Sequence, residues 1–387
     1  MDRKLHVLIV TTWYPNGTDK LIGVYHKLFC EALAAQGSMQ VNMLYIDRQG
    51  ISSLPRYPFM TKYYTEQNAG YTTFCRRMLD ISKLGFDAQM RAYTNMLLRL
   101  YKRYEEQFGK PDVIHAQVAV PAGYAACMLG EKIGVPVVIT EHSSYFERFF
   151  AGREQPYCEY VMKHAARITC VGEHMLAAYR KRGVEAEVLP NIVDCTAFSG
   201  QKQKAKDGKL HLASVCALRE EKRLDDVIAA LRILRDKNAL PDFCYTVVGD
   251  GYEMPNYKAA AERLQMTDCV EFVGRKSSVE VARILSETDM LVMASDTETF
   301  GIPAVEALAA GAPVVCTHCK GPEGFLDESC AEFCDVHAPE QLADAIERMY
   351  RRLDTIDEGH IRGIAAQFDS AAVAQRALDI YRAVCNL

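Results

Sequence analysis

Short apolar runs alternate along the chain with stretches whose apolar residues recur every three or four positions, and polar loops separate them. Uninterrupted apolar runs suit strands covered on both faces, and amphipathic stretches suit the helices that cover them. The pattern therefore predicts an α/β protein with parallel sheets and crossover helices. Residues 5–11 read as the first strand, 25–36 as a helix ended by Gly37, and 41–46 as the second strand. Strands at 112–115, 135–140 and 168–171 continue the series, and Pro190-Asn191-Ile-Val-Asp194 closes it. Residues 199–208 are polar and aperiodic, as an interdomain linker would be. Beyond them the pattern resumes with strands at 210–217, 243–249 and 270–273, and helices at 224–235, 256–264, 341–353 and 370–384.

The most informative segment starts at Ser295 and contains Glu298, Phe300, Gly301, Ile302, Pro303, Glu306, Gly311 and Pro313. Residues 291–294 before it read as a buried strand. Pro303 suits the first turn of a helix, where its missing N–H costs nothing, and Gly311 closes that helix. The helix would present free amides near 300–303 and its positive dipole end, which makes an anion site. Glu306 can accept two hydroxyl hydrogen bonds, as a ribose or sugar diol requires, and Glu298 sits on the loop.

Two Glu, two Gly and two Pro in this arrangement resemble the donor-site signature of the retaining GT-B glycosyltransferases of family four, the group 1 glycosyl transferases. The resemblance implies two facing Rossmann-like domains with an interdomain cleft. Residues 1–198 would be the acceptor-side domain, 199–208 the linker, and 209–365 the nucleotide-sugar-binding domain, with the helix in 366–387 packing back on the first. It also implies that Glu298 lies at the donor sugar, that Glu306 holds the nucleotide ribose, and that the backbone of Phe300, Gly301 and Ile302 meets the diphosphate. Residues 215–224 resemble the segment in which the family has Gly-Arg-Leu-x-x-x-Lys-Gly. Lys222 falls on the lysine that meets the diphosphate, whereas Ala217 replaces the arginine and Arg223 the following glycine. Arg219 is the candidate to supply the missing cation. Gly23 stands where the family has a glycine loop near the phosphates, Arg275 where relatives approach the base or diphosphate, and His142 by the reacting centre. The catalytic set is thus Glu298, His142 and Lys222, and His115 reads as a buried hydrogen-bonded residue.

Composition adds bounds. The chain has 387 residues, long enough for two cores, and its apolar run at 5–10 is too short for a signal peptide or a membrane span. Export by the usual route is not expected, which places the protein in the cytoplasm. Fourteen scattered cysteines read as reduced thiols in the core, with Cys316, Cys319, Cys330 and Cys334 as a candidate zinc or redox cluster. The net charge is −5, yet residues 48–110 carry eleven Lys and Arg against five Asp and Glu. This aromatic-rich region reads either as a solvated basic face over a helical core or as a surface for anionic lipid or a lipid-diphosphate acceptor at the inner face of the membrane. No feature points to nucleic acid. No cofactor or metal is expected, because cationic side chains and helix amides would neutralise the leaving group.

The function expected is retaining transfer of a sugar from a UDP- or GDP-linked donor to a glycan or lipid-linked hydroxyl, in surface polysaccharide or glycolipid assembly. A nicotinamide dehydrogenase is excluded by the first strand, which runs into Thr-Thr-Trp-Tyr-Pro-Asn-Gly without Gly-x-Gly-x-x-Gly. The alternative from another class is a catalytically silent scaffold that binds membrane or a partner, for which Ala217 is the footing.

Overall fold

The computed structural model describes residues 3–15, 22–50, 63–144, 146–203 and 207–387. It forms two compact units, one of residues 1–192 and 370–387 and the other of residues 193–369.

In the first unit, β1 (Leu5–Thr11), β2 (Met39–Gln49), β3 (Tyr63–Gln67), β4 (Tyr71–Leu79), β5 (Val113–Gln117), β6 (Val137–Glu141), β7 (Arg167–Cys170) and β8 (Glu187–Val188) form one sheet. Its order is β3-β4-β2-β1-β5-β6-β7-β8, parallel except for the β3/β4 pair. All seven residues of β1 are buried, and their alternation splits the core. Leu8 and Val10 face a cluster with the helices Phe86–Phe108, Tyr124–Ile133 and Gln155–His164. Val7 and Ile9 face one that includes the helices Val24–Ala35 and Ser370–Cys385. The C-terminal helix is fixed there by Tyr381, whose hydroxyl lies 2.6 Å from Nδ1 of the buried His115.

The second unit holds β9 (Leu210–Val215), β10 (Phe243–Val248), β11 (Val270–Gly274), β12 (Met290–Met293), β13 (Val314–Thr317) and β14 (Ala331–Cys334). The order is β11-β10-β9-β12-β13-β14 and every pairing is parallel. Both units are Rossmann-like.

Two differences from the sequence pattern have plain causes. The chain enters the second unit at Val193, ahead of the polar segment 199–208, because Val193 N–H bonds the Phe368 carbonyl at 2.9 Å and Cys195 N–H bonds the Asp369 carboxylate at 3.1 Å. The basic region 48–110 does not rest on helices alone. Its first half contributes the β3/β4 hairpin, where Asn68-Ala69-Gly70 makes the turn, with Gly70 at φ 82°, and β-branched and aromatic residues from Tyr71 to Phe74 suit the strand. Residues 51–62 of that region, with Tyr57 and Phe59, and residues 204–206 of the polar segment lie outside the described residues.

All fourteen cysteines are free thiols. Cys316 and Cys319 bring their sulfurs to 3.6 Å, yet among the described residues no group of three or more His, Cys, Asp or Glu is placed to hold a metal ion. No described helix is long and apolar enough to cross a membrane.

Candidate functional site

In the second unit the predicted residues gather where β9, β12 and β13, neighbours in the sheet, end at their carboxyl edge. The loop after β9 runs from Cys216 to Arg223 and is held by the turn after β10. Cys216 N–H bonds the Val248 carbonyl and Leu218 N–H bonds the Asp250 carbonyl, both at 3.0 Å. A single turn, Glu220–Lys222, then delivers Lys222, and the Glu221 carbonyl accepts from Asp296 N–H at 2.9 Å. That bond ties the lysine-bearing turn to the loop after β12.

On that loop, Glu298 is fixed by its backbone: its N–H donates to the Cys319 carbonyl at 2.7 Å and its carbonyl accepts from Gly321 N–H at 3.1 Å. Its carboxylate accepts from the Lys222 ammonium and from the Ser295 hydroxyl, the latter at 2.8 Å. The Lys222 and Glu298 side chains are only 17% and 15% exposed. Burial by itself would lower the Lys222 pKa, but the Glu298 charge and hydrogen bond outweigh it, so the pKa lies above the ordinary value and the ammonium persists.

Gly301 follows at φ 97°, in the left-handed region, and a Cβ there would lie 2.6 Å from Pro322 Cγ. Only glycine fits this entry to the helix Ile302–Ala309, and no side chain caps the helix. The Phe300 ring is buried against Phe325 and Phe368, so it anchors the loop. Glu306 lies one turn further along. Burial pushes its carboxyl up to about 7, the balance point between charged and neutral forms at physiological pH.

The other predicted donor residues are more peripheral. Arg219 has a 59% exposed side chain 3.9 Å from Glu221. Arg223 makes ion pairs with Asp225 and Asp226 at the start of the helix Leu224–Asp236. Arg275 is exposed just beyond β11.

In the first unit, Gly23 precedes the helix Val24–Ala35 at φ 65°, and a Cβ there would lie 2.4 Å from the Trp13 carbonyl oxygen. Tyr25, two residues on, packs its ring 5.1 Å from that of His142, so this turn and His142 share the carboxyl edge of the sheet. His142 is held on both sides, with Nε2 2.6 Å from the Gln117 side-chain oxygen and Nδ1 3.0 Å from the Asn191 side-chain oxygen. Burial lowers its pKa to about 3 against the opposing Asn191 bond, so the imidazole is neutral. Both ring nitrogens are taken up by these two side chains, so the ring is held in place and carries no charge.

Several contributors escape sequence reasoning. Ser295 positions Glu298, while Gln117 and Asn191 orient His142. Glu141 is fully buried and accepts the backbone amides of Ala119, His142 and Ser143 at 2.7–2.9 Å. Asn191 stands inside a quoted motif, but nothing in the sequence pairs it with His142.

Comparison with known proteins identifies the family and the fold. Residues 197–354 match the family model "Glycosyl transferases group 1", and residues 73–197 match "Glycosyltransferase Family 4". A glycogen synthase of Mycobacterium tuberculosis is 25% identical over 98% of this chain and 95% of its own. Sucrose-phosphate synthase from Thermosynechococcus elongatus superposes with a TM-score of 0.75 at 17% identity, covering 98% of this chain and 99% of its own. The Anabaena protein HepE, solved in complex with UDP, gives a TM-score of 0.72 at 16% identity over 98% of this chain and 100% of its own. The family models run end to end across residues 73–354 and the solved neighbours share the whole fold: the chain belongs to the group 1 glycosyl transferases and has the GT-B fold.

Proposed function

We propose that this glycosyltransferase moves a sugar, with retention at the anomeric carbon, from a UDP- or GDP-linked donor to a hydroxyl of a glycan or lipid-linked acceptor in polysaccharide or glycolipid assembly. The observation that carries the reading is the Lys222 ammonium, kept charged by Glu298 beside the uncapped helix end at Gly301, with Glu306 one turn away. A cation, free amides and a diol-accepting carboxylate are what a nucleoside diphosphate sugar requires. The UDP bound by HepE and the biosynthetic roles of the relatives support it.

In the reaction, the bond from the anomeric carbon to the diphosphate oxygen breaks and a bond from that carbon to the acceptor oxygen forms on the same face. The acceptor proton passes to the departing diphosphate. Lys222 and the amides at 300–302 stabilise the charge that develops, Glu298 orients the sugar, Glu306 holds the ribose, and neutral His142 exchanges one of its bonds to Gln117 or Asn191 for the substrate near the reacting carbon. No metal is assigned a part. Residues 48–110 form the acceptor-side surface and give weak contact with anionic membrane at the cytoplasmic face.

The test is release of UDP or GDP from a panel of UDP- and GDP-sugars, with NMR of the anomeric configuration. Turnover by the wild type that is absent in Lys222→Gln supports the assignment. If no donor binds or turns over, the silent-scaffold reading replaces it, and an inverted product removes retention alone.

A further inference from the structure

On the first unit the β3/β4 hairpin and the helix Phe86–Phe108 bring three arginines together. Register pairs Tyr63 with Arg76 across the hairpin, and Arg76 donates to the Tyr63 hydroxyl. The guanidinium carbons of Arg76 and Arg103 lie 4.2 Å and 3.8 Å from the centroid of the Tyr63 ring. Arg99 precedes Arg103 by one helical turn and therefore shares its face. Both helix arginines are exposed, whereas Arg76 is 9% exposed and its Nε has no hydrogen-bond partner.

Among the described residues none of the three lies within ion-pair distance of a carboxylate. Arg77, next in the strand, shows the contrast, since it pairs with Asp47 at 3.3 Å. Residues 51–62, which lead into Tyr63, contain no Asp or Glu and offer no counter-charge. Burial, then the charges of Arg99 and Arg103, push the Arg76 pKa below its ordinary value. Packing three guanidiniums together with one of them desolvated is unfavourable unless an anion completes the cluster.

We propose that Arg76, Arg99 and Arg103 form a binding site for a phosphate group carrying two or more charges, a phosphomonoester or diphosphate. Planar guanidinium forks fit phosphate oxygens in pairs, and the Tyr63 ring fixes the spacing of two of them. This names the group recognised on the acceptor-side surface proposed above and rests on that reading for the phosphate's owner, a lipid headgroup or a soluble compound. The donor residues Lys222, Glu298 and Glu306 lie in the other unit, so the donor reading can fail without it.

Calorimetry of the full chain with inorganic pyrophosphate, in saturating UDP so that any donor-side diphosphate site is filled, tests the site. The double variant Arg99→Gln/Arg103→Gln changes two exposed side chains, and it should bind pyrophosphate about tenfold more weakly or worse. Its unfolding temperature and UDP affinity should stay unchanged. Flotation with vesicles of phosphatidic acid or phosphatidylglycerol at equal surface charge finds the source. Preference for phosphatidic acid that the variant loses assigns a lipid headgroup, and pyrophosphate binding without that preference assigns a soluble phosphate. Equal pyrophosphate affinity in wild type and variant, or none in either, overturns the site. A donor misassignment would show instead as absent UDP binding in both.

Discussion

Glu306 offers the sharpest quantitative test, because its burial gives nucleotide binding a pH dependence of known sign. Its carboxyl is pushed up to about 7, and no charged neighbour contributes to the shift. If the ribose diol donates to Glu306, the ligand selects the carboxylate. Affinity for UDP then reaches a plateau above pH 8, and at pH 6 it is about tenfold weaker, the fraction ionised being roughly one in eleven. Glu306→Gln removes the titrating group and should lower plateau affinity by about 1–3 kcal/mol. The ratio of wild-type to variant affinity should therefore shrink toward one as pH falls from 8 to 5.5. Calorimetry on both proteins across that range measures it, and titration of the UDP phosphate cancels in the ratio. Stability should move the other way. The folded pKa is raised above the unfolded value of about 4.3, so the favourable contribution is complete below that pH and is lost as pH rises through about 7. Without ligand, Glu306→Gln should thus unfold at a higher temperature than wild type at pH 8, and lose that advantage at pH 4. A ratio independent of pH, or one that grows as pH falls, would refute the role of Glu306 at the ribose.

Three further outcomes follow from the loop after β12. Glu298→Gln should lower turnover while UDP affinity does not fall, because Glu298 serves the sugar and its removal frees Lys222 for the diphosphate; a loss of UDP binding equal to that of Glu306→Gln would show that the two carboxylates are not divided in this way. Turnover with the true donor should survive a chelator, and activity that vanishes in chelator and returns with manganese or magnesium would give the charge stabilisation to a metal. Gly301→Ala should destabilise the second unit by about 1–3 kcal/mol and weaken UDP binding, since φ 97° and the contact with Pro322 exclude a side chain; an unfolding temperature equal to wild type would mean that the loop relaxes freely.

The sequence by itself determined much of the succession of strands and helices, though not the β3/β4 hairpin, and the place of the donor segment. Both are written locally, in the apolar runs, the Phe300-Gly301-Ile302-Pro303 turn and the two glutamates spaced to fall on a loop and on a helix. Lys222 was legible too, through the resemblance of residues 215–224 to the family's lysine-bearing segment. What only the tertiary structure decided were contacts between residues far apart in the chain. The Lys222–Glu298 ion pair forms because β9 and β12 are neighbours in the sheet, an order that no local pattern encodes. The Gln117 and Asn191 clamp on His142 joins three separate strand ends, and the Arg76–Arg99–Arg103 cluster needs the β3/β4 hairpin to lie beside the helix Phe86–Phe108. The pKa values of Glu306 and His142 belong to the same class. Desolvation is set by everything packed around a group, so it exists only once the chain has folded.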